Sequence, residues 1–419
     1  MDHTVDHTGD QTVSGGHGPH RVVVTGIGVV TSIGIGVTEF LEGLRSGRSR
    51  VKPITAFDTS GFAHANGCEI DDFDPSRWIE VLDPEELGRA SQFSVAAARM
   101  AVDDAGLGLD ELRSRAVLVS VGTTDGESRD LDELVARQLA GEPVDGRVAR
   151  RASAGALSSG IVRELELVDA EAVTIPTACA AGNYAIGSGY DAIRAGEVDM
   201  ALCGGADAVC RKTFTGFYRL GTIAPDVCRP FDSDRKGILT GEGGGILLLE
   251  SLESARRRGA RIYAEVLGYG LNCDASHPVA PDRDSLARCM ELAHRNAGVK
   301  PEQIDFISAH GTGTKANDVT EAGAIRQVFS DAPPTVSVKG MLGHTMGAAS
   351  ALASAACALA ITEGFIPPTI NHRTTDEECG IDPVPNQARQ ADVRIVQNNA
   401  LAFAGNNAVL ILGRYEPER

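Results

Sequence analysis

Apolar runs rich in β-branched residues alternate along this chain with longer, alanine-rich stretches of helical period. The runs at 22–28, 116–121, 172–177, 200–204, 245–249, 264–270, 306–309, 335–338, 398–403 and 408–412 predict strands. The stretches at 36–46, 91–105, 179–195, 283–297, 319–329 and 347–362 predict helices. Many of the strand runs are apolar on consecutive positions, so both faces of their sheets are expected to be covered, and the fold class is α/β. The run 348–361 is built of small residues interrupted by serine and is too short to span a bilayer, so it predicts a buried core helix. The two halves of the chain echo one another. VLVSVGTT and FISAHGTGT each carry a strand into a Gly-Thr turn, and VTIPTACAAGNYAIG and VSVKGMLGHTMGAAS each carry a strand into a small-residue helix. That order suggests a duplicated fold with its site between the halves.

Composition narrows the functional classes. Hydrophobic residues make up 42% and charged residues 23%, a globular balance. With 48 glycines and only 5% aromatics, the core has to be built of Ala, Val, Leu and Ile. A formal net charge of −18 argues against non-specific nucleic-acid binding. The nine cysteines form no CxxC pair, so neither a zinc site nor a disulfide framework is expected, and a reducing, cytoplasmic setting is. No membrane span is expected. Residues 1–20 are polar and rich in Gly and His, without the apolar stretch of a signal peptide, and read as a disordered extension.

Gly26-x-Gly28 follows a strand and resembles a dinucleotide fingerprint, but Thr31 stands where the third glycine belongs and no acidic strand end follows about 20 residues on. A tight turn is the expected role. Cys179 follows a strand and opens a helix, where the helix partial charge and free amides lower a thiol pKa, and its neighbours Ala178, Ala180, Ala181 and Gly182 leave room for an acyl group. His310 ends a strand at a glycine turn, AHGTGT. In VKGMLGHTMGAAS, Lys339 follows a strand and His344 opens a helix, which favours a neutral imidazole able to donate to an oxyanion. In NALAFAGNN, Phe403 stands among small residues between two strands and has the surroundings of a gate, or simply of a β-hairpin. Singly, each histidine and the cysteine reads as readily as a structural residue.

Together these segments resemble the β-ketoacyl-acyl-carrier-protein synthases of the thiolase superfamily, and within them the type-II, chain-elongating ketosynthases. The resemblance runs from Arg21 to about Leu412 and includes VVVTGIGVVTSIG, TACAAGNYAIGSGYDAIRAGEVDMALCGGADA, CRPFDSDRKGILTGEGGGILLLE, AHGTGT, DVTEAGAI and VKGMLGHTMGAASA. It implies a thiolase fold, with duplicated α/β halves in a five-layer αβαβα arrangement, divided here as 21–272 and 273–419. It implies that Cys179 accepts the acyl group, that His310 and His344 bind the extender carbonyl, and that Lys339 supports the second histidine. Glu321 would order this cluster, Thr312 and Thr314 would bind the phosphopantetheine arm, and the Phe403 backbone N–H would join that of Cys179 in an oxyanion hole. Thr124 would line the acyl pocket. The implied reaction is a decarboxylative Claisen condensation with no metal or redox cofactor, its substrates carried on the phosphopantetheine of acyl carrier protein. The implied assembly is a homodimer, or a heterodimer with a homologous ketosynthase-like subunit.

The gate departs from the family pattern Asn-Ser-Phe-Gly-Phe-Gly-Gly-Thr-Asn: Ala402 and Ala404 replace glycines and Leu401 replaces the first phenylalanine. Alanine would be strained wherever such a glycine adopts a positive φ. This departure points to a specialised enzyme of polyketide or other secondary metabolism. Arg150, Arg151 and Arg219 are expected to form a basic patch for the acidic carrier, so that glutamate at these positions would raise the carrier KM. Two other readings compete: acyl transfer without condensation at the same site, and a non-catalytic chain-length-factor subunit, which would have lost the cysteine.

Overall fold

A computed structural model describes residues 19–417. The expected extension, 1–20, therefore lies outside the described residues except for its last two. Of these, His20 is tied in, its backbone N–H donating to the carbonyl of Arg194.

Ten strands run in one order through an 11-stranded sheet. In chain order they are β1 (Val22–Thr31), β2 (Ala116–Gly122), β3 (Asp169–Ile175), β4 (Met200–Asp207), β5 (Gly243–Ser251), β6 (Ala264–Cys273), β7 (Phe306–Ser308), β8 (Thr335–Val336), β9 (Ile395–Leu401) and β10 (Asn406–Gly413). The spatial order is β8-β7-β9-β10-β6-β1-β5-β4-β2-β3. Counted outward from the middle, each half runs first, fifth, fourth, second, third. The strand senses repeat as well: antiparallel, antiparallel, parallel, parallel. The halves join where β1 meets β6 antiparallel, from Val22↔Val266 to Val24↔Ala264. The faint echo in the sequence is thus a true structural repeat. Its joint lies between Ser251 and Ala264, because β6 opens the second half, and not at residues 272–273.

Two helices, Ala181–Arg194 and Ala349–Glu363, touch strands of both halves and form the middle layer. Arg89–Asp104 covers the first half from outside, and Arg283–Ala297 and Lys315–Val328 cover the second. These are the five layers of the thiolase fold. The segment Met346–Glu363 is long and apolar enough to cross a membrane, yet 89% of it is buried between the sheets. Every residue from Ala349 to Ile361 is buried, which is why this helix shows no polar face.

Gly26 and Gly28 are not in a turn. They sit inside β1, where a Cβ would lie 2.1 Å from the Ala101 carbonyl oxygen and 1.8 Å from that of Ala97. The pair lets the outer helix pack its backbone against the strand, so a fingerprint-like spacing arises from close packing alone. Helices Ser128–Leu139, Gly146–Arg151 and Ala156–Glu164 were not predicted, and they fill the connection between β2 and the edge strand β3.

Candidate active site

The loops that follow β3, β7 and β8 converge with the β9–β10 hairpin. Cys179, His310, His344, Thr312, Thr314 and Phe403 line one cavity of about 240 Å³. Cys179 lies in a single 3-10 turn, Ala178–Ala180, that leads into the first central helix. The preceding Ala178 has φ 50°, a left-handed conformation costly for a residue with a Cβ. Met346 has the same φ of 50° in the turn Met346–Ala348 that leads into the second central helix. Thr177 and Thr345 precede these turns with nearly equal backbone angles. The two turns are the same element in the two halves, and Gly347 is the counterpart of Cys179. A Cβ on Gly347 would stand 2.5 Å from Thr123 Cα, so this position has no room for a side chain.

The thiol of Cys179 is buried. Burial pushes its pKa up to about 12, outweighing the pull of the Lys339 ammonium and of its own backbone amide. The helix start therefore does not yield a resting thiolate, as its position in the sequence suggested; the group is a thiol that must lose its proton as it attacks. Alkylation of Cys179 by iodoacetamide, followed by peptide mass mapping, is expected to quicken about tenfold per pH unit from 7 to 10 with no plateau. A plateau below pH 8 would mean a stabilised thiolate.

The rings of His310 and His344 stand 5.4 Å apart at 80°. Burial holds both imidazoles well below their ordinary pKa, and the Lys339 cation adds to the effect. Both are neutral at pH 7. Met346 N–H donates to His344 Nδ1 at 3.2 Å, so the ring proton is on Nε2 and faces away from that amide. Lys339 Nζ donates to the His310 carbonyl at 2.6 Å and lies 3.5 Å from His310 Nδ1. This contact fits a His310 ring that carries its proton on Nε2. Lys339 thus bonds to the first histidine and acts on the second through its field, the electrostatic role expected of it. Glu321 accepts from the amides of His310 and Gly311, both at 2.8 Å, and from Asn399 Nδ2 at 3.1 Å, which pins the turn to the β9 hairpin. Two neutral N–H donors beside a buried thiol can stabilise a developing enolate or oxyanion.

Thr314 caps the helix Lys315–Val328, and its hydroxyl lies 2.9 Å from that of Thr312. Phe403 heads the β9–β10 turn, its ring 5.3 Å from that of Phe217, which in turn stands 6.4 Å from His344. Phe217 lies on the helix Arg211–Arg219, whose polar segment carries no sequence signal for a site. Ala404 adopts φ 63°, so one of the two alanines does occupy a glycine conformation, while Ala402, at φ −132°, does not. The turn is held across by Ala404 N–H to the Pro278 carbonyl at 2.8 Å and Asp274 N–H to the Gly405 carbonyl at 2.9 Å. Thr124 is not brought to the cavity lining; its amide donates to Asp207 instead.

These loops have known counterparts. A family model described as "Beta-ketoacyl synthase, N-terminal domain" matches residues 20–255, and "Beta-ketoacyl synthase, C-terminal domain" matches 263–373. The chain belongs to the β-ketoacyl synthase family. It is 36% identical to 3-oxoacyl-[acyl-carrier-protein] synthase 2 of Synechocystis sp., over 94% of this chain and 98% of that protein. It is 63% identical, with a TM-score of 0.94, to a chain of the solved ishigamide ketosynthase/chain length factor, covering 95% of this chain and 100% of that one. A type II polyketide acyl carrier protein in complex with its hexaketide-bound ketosynthase gives 30% identity and a TM-score of 0.87, covering 95% and 100%. Of the three arginines expected to form a basic patch in this β-ketoacyl synthase, Arg150 pairs with Glu86 and Arg151 with Asp130, while Arg219 has no ion pair among the described residues.

Proposed function

We propose that this β-ketoacyl synthase performs decarboxylative Claisen condensation on carrier-bound substrates, in polyketide rather than general fatty-acid synthesis. The observation that carries this reading is the pair of neutral, Nε2-protonated imidazoles sharing one cavity with a buried thiol. The Cys179 sulfur attacks an acyl thioester on phosphopantetheine, forming the acyl-cysteine bond as the pantetheine thiol leaves with the proton. A malonyl-type thioester then enters along Thr312 and Thr314, and its thioester oxygen accepts from His310 and His344. Loss of carbon dioxide leaves an enolate whose carbon attacks the acyl-cysteine carbonyl. The cysteine sulfur departs, and a β-ketoacyl thioester remains on the carrier. The amides of Cys179 and Phe403 serve the acyl oxygen in this step. Each part of this chemistry is supplied by the chain itself and by the carrier's pantetheine.

The partners are an acyl carrier protein and a second ketosynthase-like subunit. The likeness to the ishigamide ketosynthase/chain length factor supports a heterodimer. The edge strand β3, exposed or half-buried along its whole length, supports a partner at that edge, whether a like or an unlike subunit. Leu131 and Val135, 45% and 53% exposed on the helix Ser128–Leu139, add apolar surface on the connection leading to that strand.

Intact-mass analysis tests the reaction. The protein is given a panel of acyl-carrier and acyl-CoA donors and then malonyl-carrier. Acyl mass on Cys179 followed by a β-ketoacyl carrier product is expected. Acyl mass that returns to a carrier without carbon–carbon bond formation would replace condensation with plain acyl transfer.

A further inference from the structure

Asp207, the last residue of β4, is fully buried and reaches across the repeat. Its Oδ1 accepts from Thr123 Oγ1 at 2.6 Å and Asp125 N–H at 2.9 Å. Its Oδ2 accepts from Thr124 N–H at 2.8 Å and Gly347 N–H at 2.6 Å. Three of the four donors belong to the turn after β2 in the first half. The fourth belongs to the second half, at the counterpart of Cys179. The neighbouring Met346 is in a left-handed conformation and donates its amide to His344 Nδ1.

We propose that Asp207 is a positioning residue that holds the Met346–Gly347 turn and so keeps His344 presenting its Nε2 proton to the extender carbonyl. The chain of contacts is short: the Asp207 carboxylate to Gly347 N–H, then the Met346 peptide, then the imidazole. The strained Met346 conformation is one the turn leaves unless both its neighbouring peptides are held. When it leaves, His344 Nδ1 loses its donor, and the tautomer with the proton on Nδ1 becomes accessible. That tautomer offers the substrate a lone pair where the enolate needs a proton. Asp207 is not part of the cavity lining and acts on the Cys179 thiol only through its charge, which raises the thiol pKa, so its removal is not expected to slow acyl loading. The proposal rests on the condensation reading for the meaning of its rate measurement, but the state of His344 is read independently.

Three variants test it. Asp207→Ala removes every contact. Asp207→Asn can turn its amide oxygen to Thr124 and Gly347 and its NH2 to the Thr123 hydroxyl, so it retains the grip on Gly347 and loses the contact to Asp125 N–H. Thr123→Val removes one contact of the same carboxylate but not that grip. Carbon dioxide release from malonyl-carrier is expected to fall about 30-fold in Asp207→Ala, the loss of one buried hydrogen bond, with recovery to within about fivefold in Asp207→Asn and little change in Thr123→Val. Loading of Cys179 by mass is expected to stay within about twofold in all three. In protein labelled with ¹⁵N-histidine, the wild-type His344 is expected to show the Nε2–H tautomer, and Asp207→Ala a mixture. Should Asp207→Ala not fold, Asp207→Glu takes its place: the carboxyl group stays, the longer arm displaces Gly347, and the same losses are expected. Equal losses in loading and decarboxylation, Thr123→Val as slow as Asp207→Ala, or an unchanged His344 signal in the displaced variant would each overturn the proposal. An altered His344 signal in a protein that forms no carbon–carbon bond would instead leave the positioning intact and reject the condensation.

Discussion

Cys179→Ala is expected to form no acyl-enzyme and to lose at least about 10³-fold in condensation, since no other thiol lines the cavity among the described residues. Of the other eight cysteines, seven are buried away from the cavity lining and Cys273 is exposed at the end of β6. None is placed to stand in. The variant separates the two half-reactions. With the imidazole pair intact it should still release carbon dioxide from malonyl-carrier, because the enolate is stabilised by His310 and His344 and not by sulfur. The product is then acetyl-carrier, formed when the enolate takes a proton from water. Intact mass of the protein and chromatography of the carrier read both outcomes. A Cys179→Ala protein that still carried acyl mass would move the nucleophile elsewhere. One that lost decarboxylation as completely as condensation would mean the thiol takes part in both.

His344→Ala is expected to give the complementary result: normal acyl mass on Cys179, and decarboxylation slower by about 10²–10³-fold, the cost of one donor to a developing oxyanion. The pH dependence in the wild-type protein follows from the same burial. A protonated imidazole pair would stabilise the enolate too, so the charge state has to be read from the profile. Both pKa values are lowered on folding. The neutral form therefore persists as pH falls through the ordinary histidine value of about 6.5, and decarboxylation should show no step between pH 8 and 6. The same sign applies to the stability these two rings contribute: the unfolded chain takes protons that the folded imidazoles refuse, so their contribution declines as pH drops below about 6.5. A sigmoidal change centred near 6.5 in the His344-dependent rate would show that the rings titrate freely.

Much of this arrangement can be read from the residues. The β-branched runs are strands because they are covered on both faces, and the small-residue segment 349–361 is the central helix because nothing larger fits between the sheets. Cys179, His310 and His344 sit at strand ends, where repeat and motif agree. Other parts leave no such trace. The three helices between β2 and β3 bury few apolar side chains, and nothing in the sequence announces them. Gly26 and Gly28 mimic a phosphate loop because close packing and phosphate binding both need an absent Cβ. The sequence shows the helix start at Cys179 but not the depth at which it lies, and that depth sets its pKa. Asp207 at a strand end looks like a turn residue; that it grips both halves is visible only once β4 lies beside the second central helix. The partners of Arg150 and Arg151 are hidden in the sequence for a similar reason, since Glu86 and Asp130 meet them across the fold and not along the chain.

The paired turns also bear on ancestry. If two identical halves once met here, each had a place for a nucleophile at the head of its central helix. In the present molecule only the first place is habitable. The backbone of Thr123 presses against Gly347, and the carboxylate of Asp207 grips its amide. Returning a cysteine to the second place would require the turn after β2 to retreat first, and that turn is anchored to the same carboxylate. The division of labour between the halves is therefore a ratchet: packing, and not catalysis, forbids the way back to symmetry.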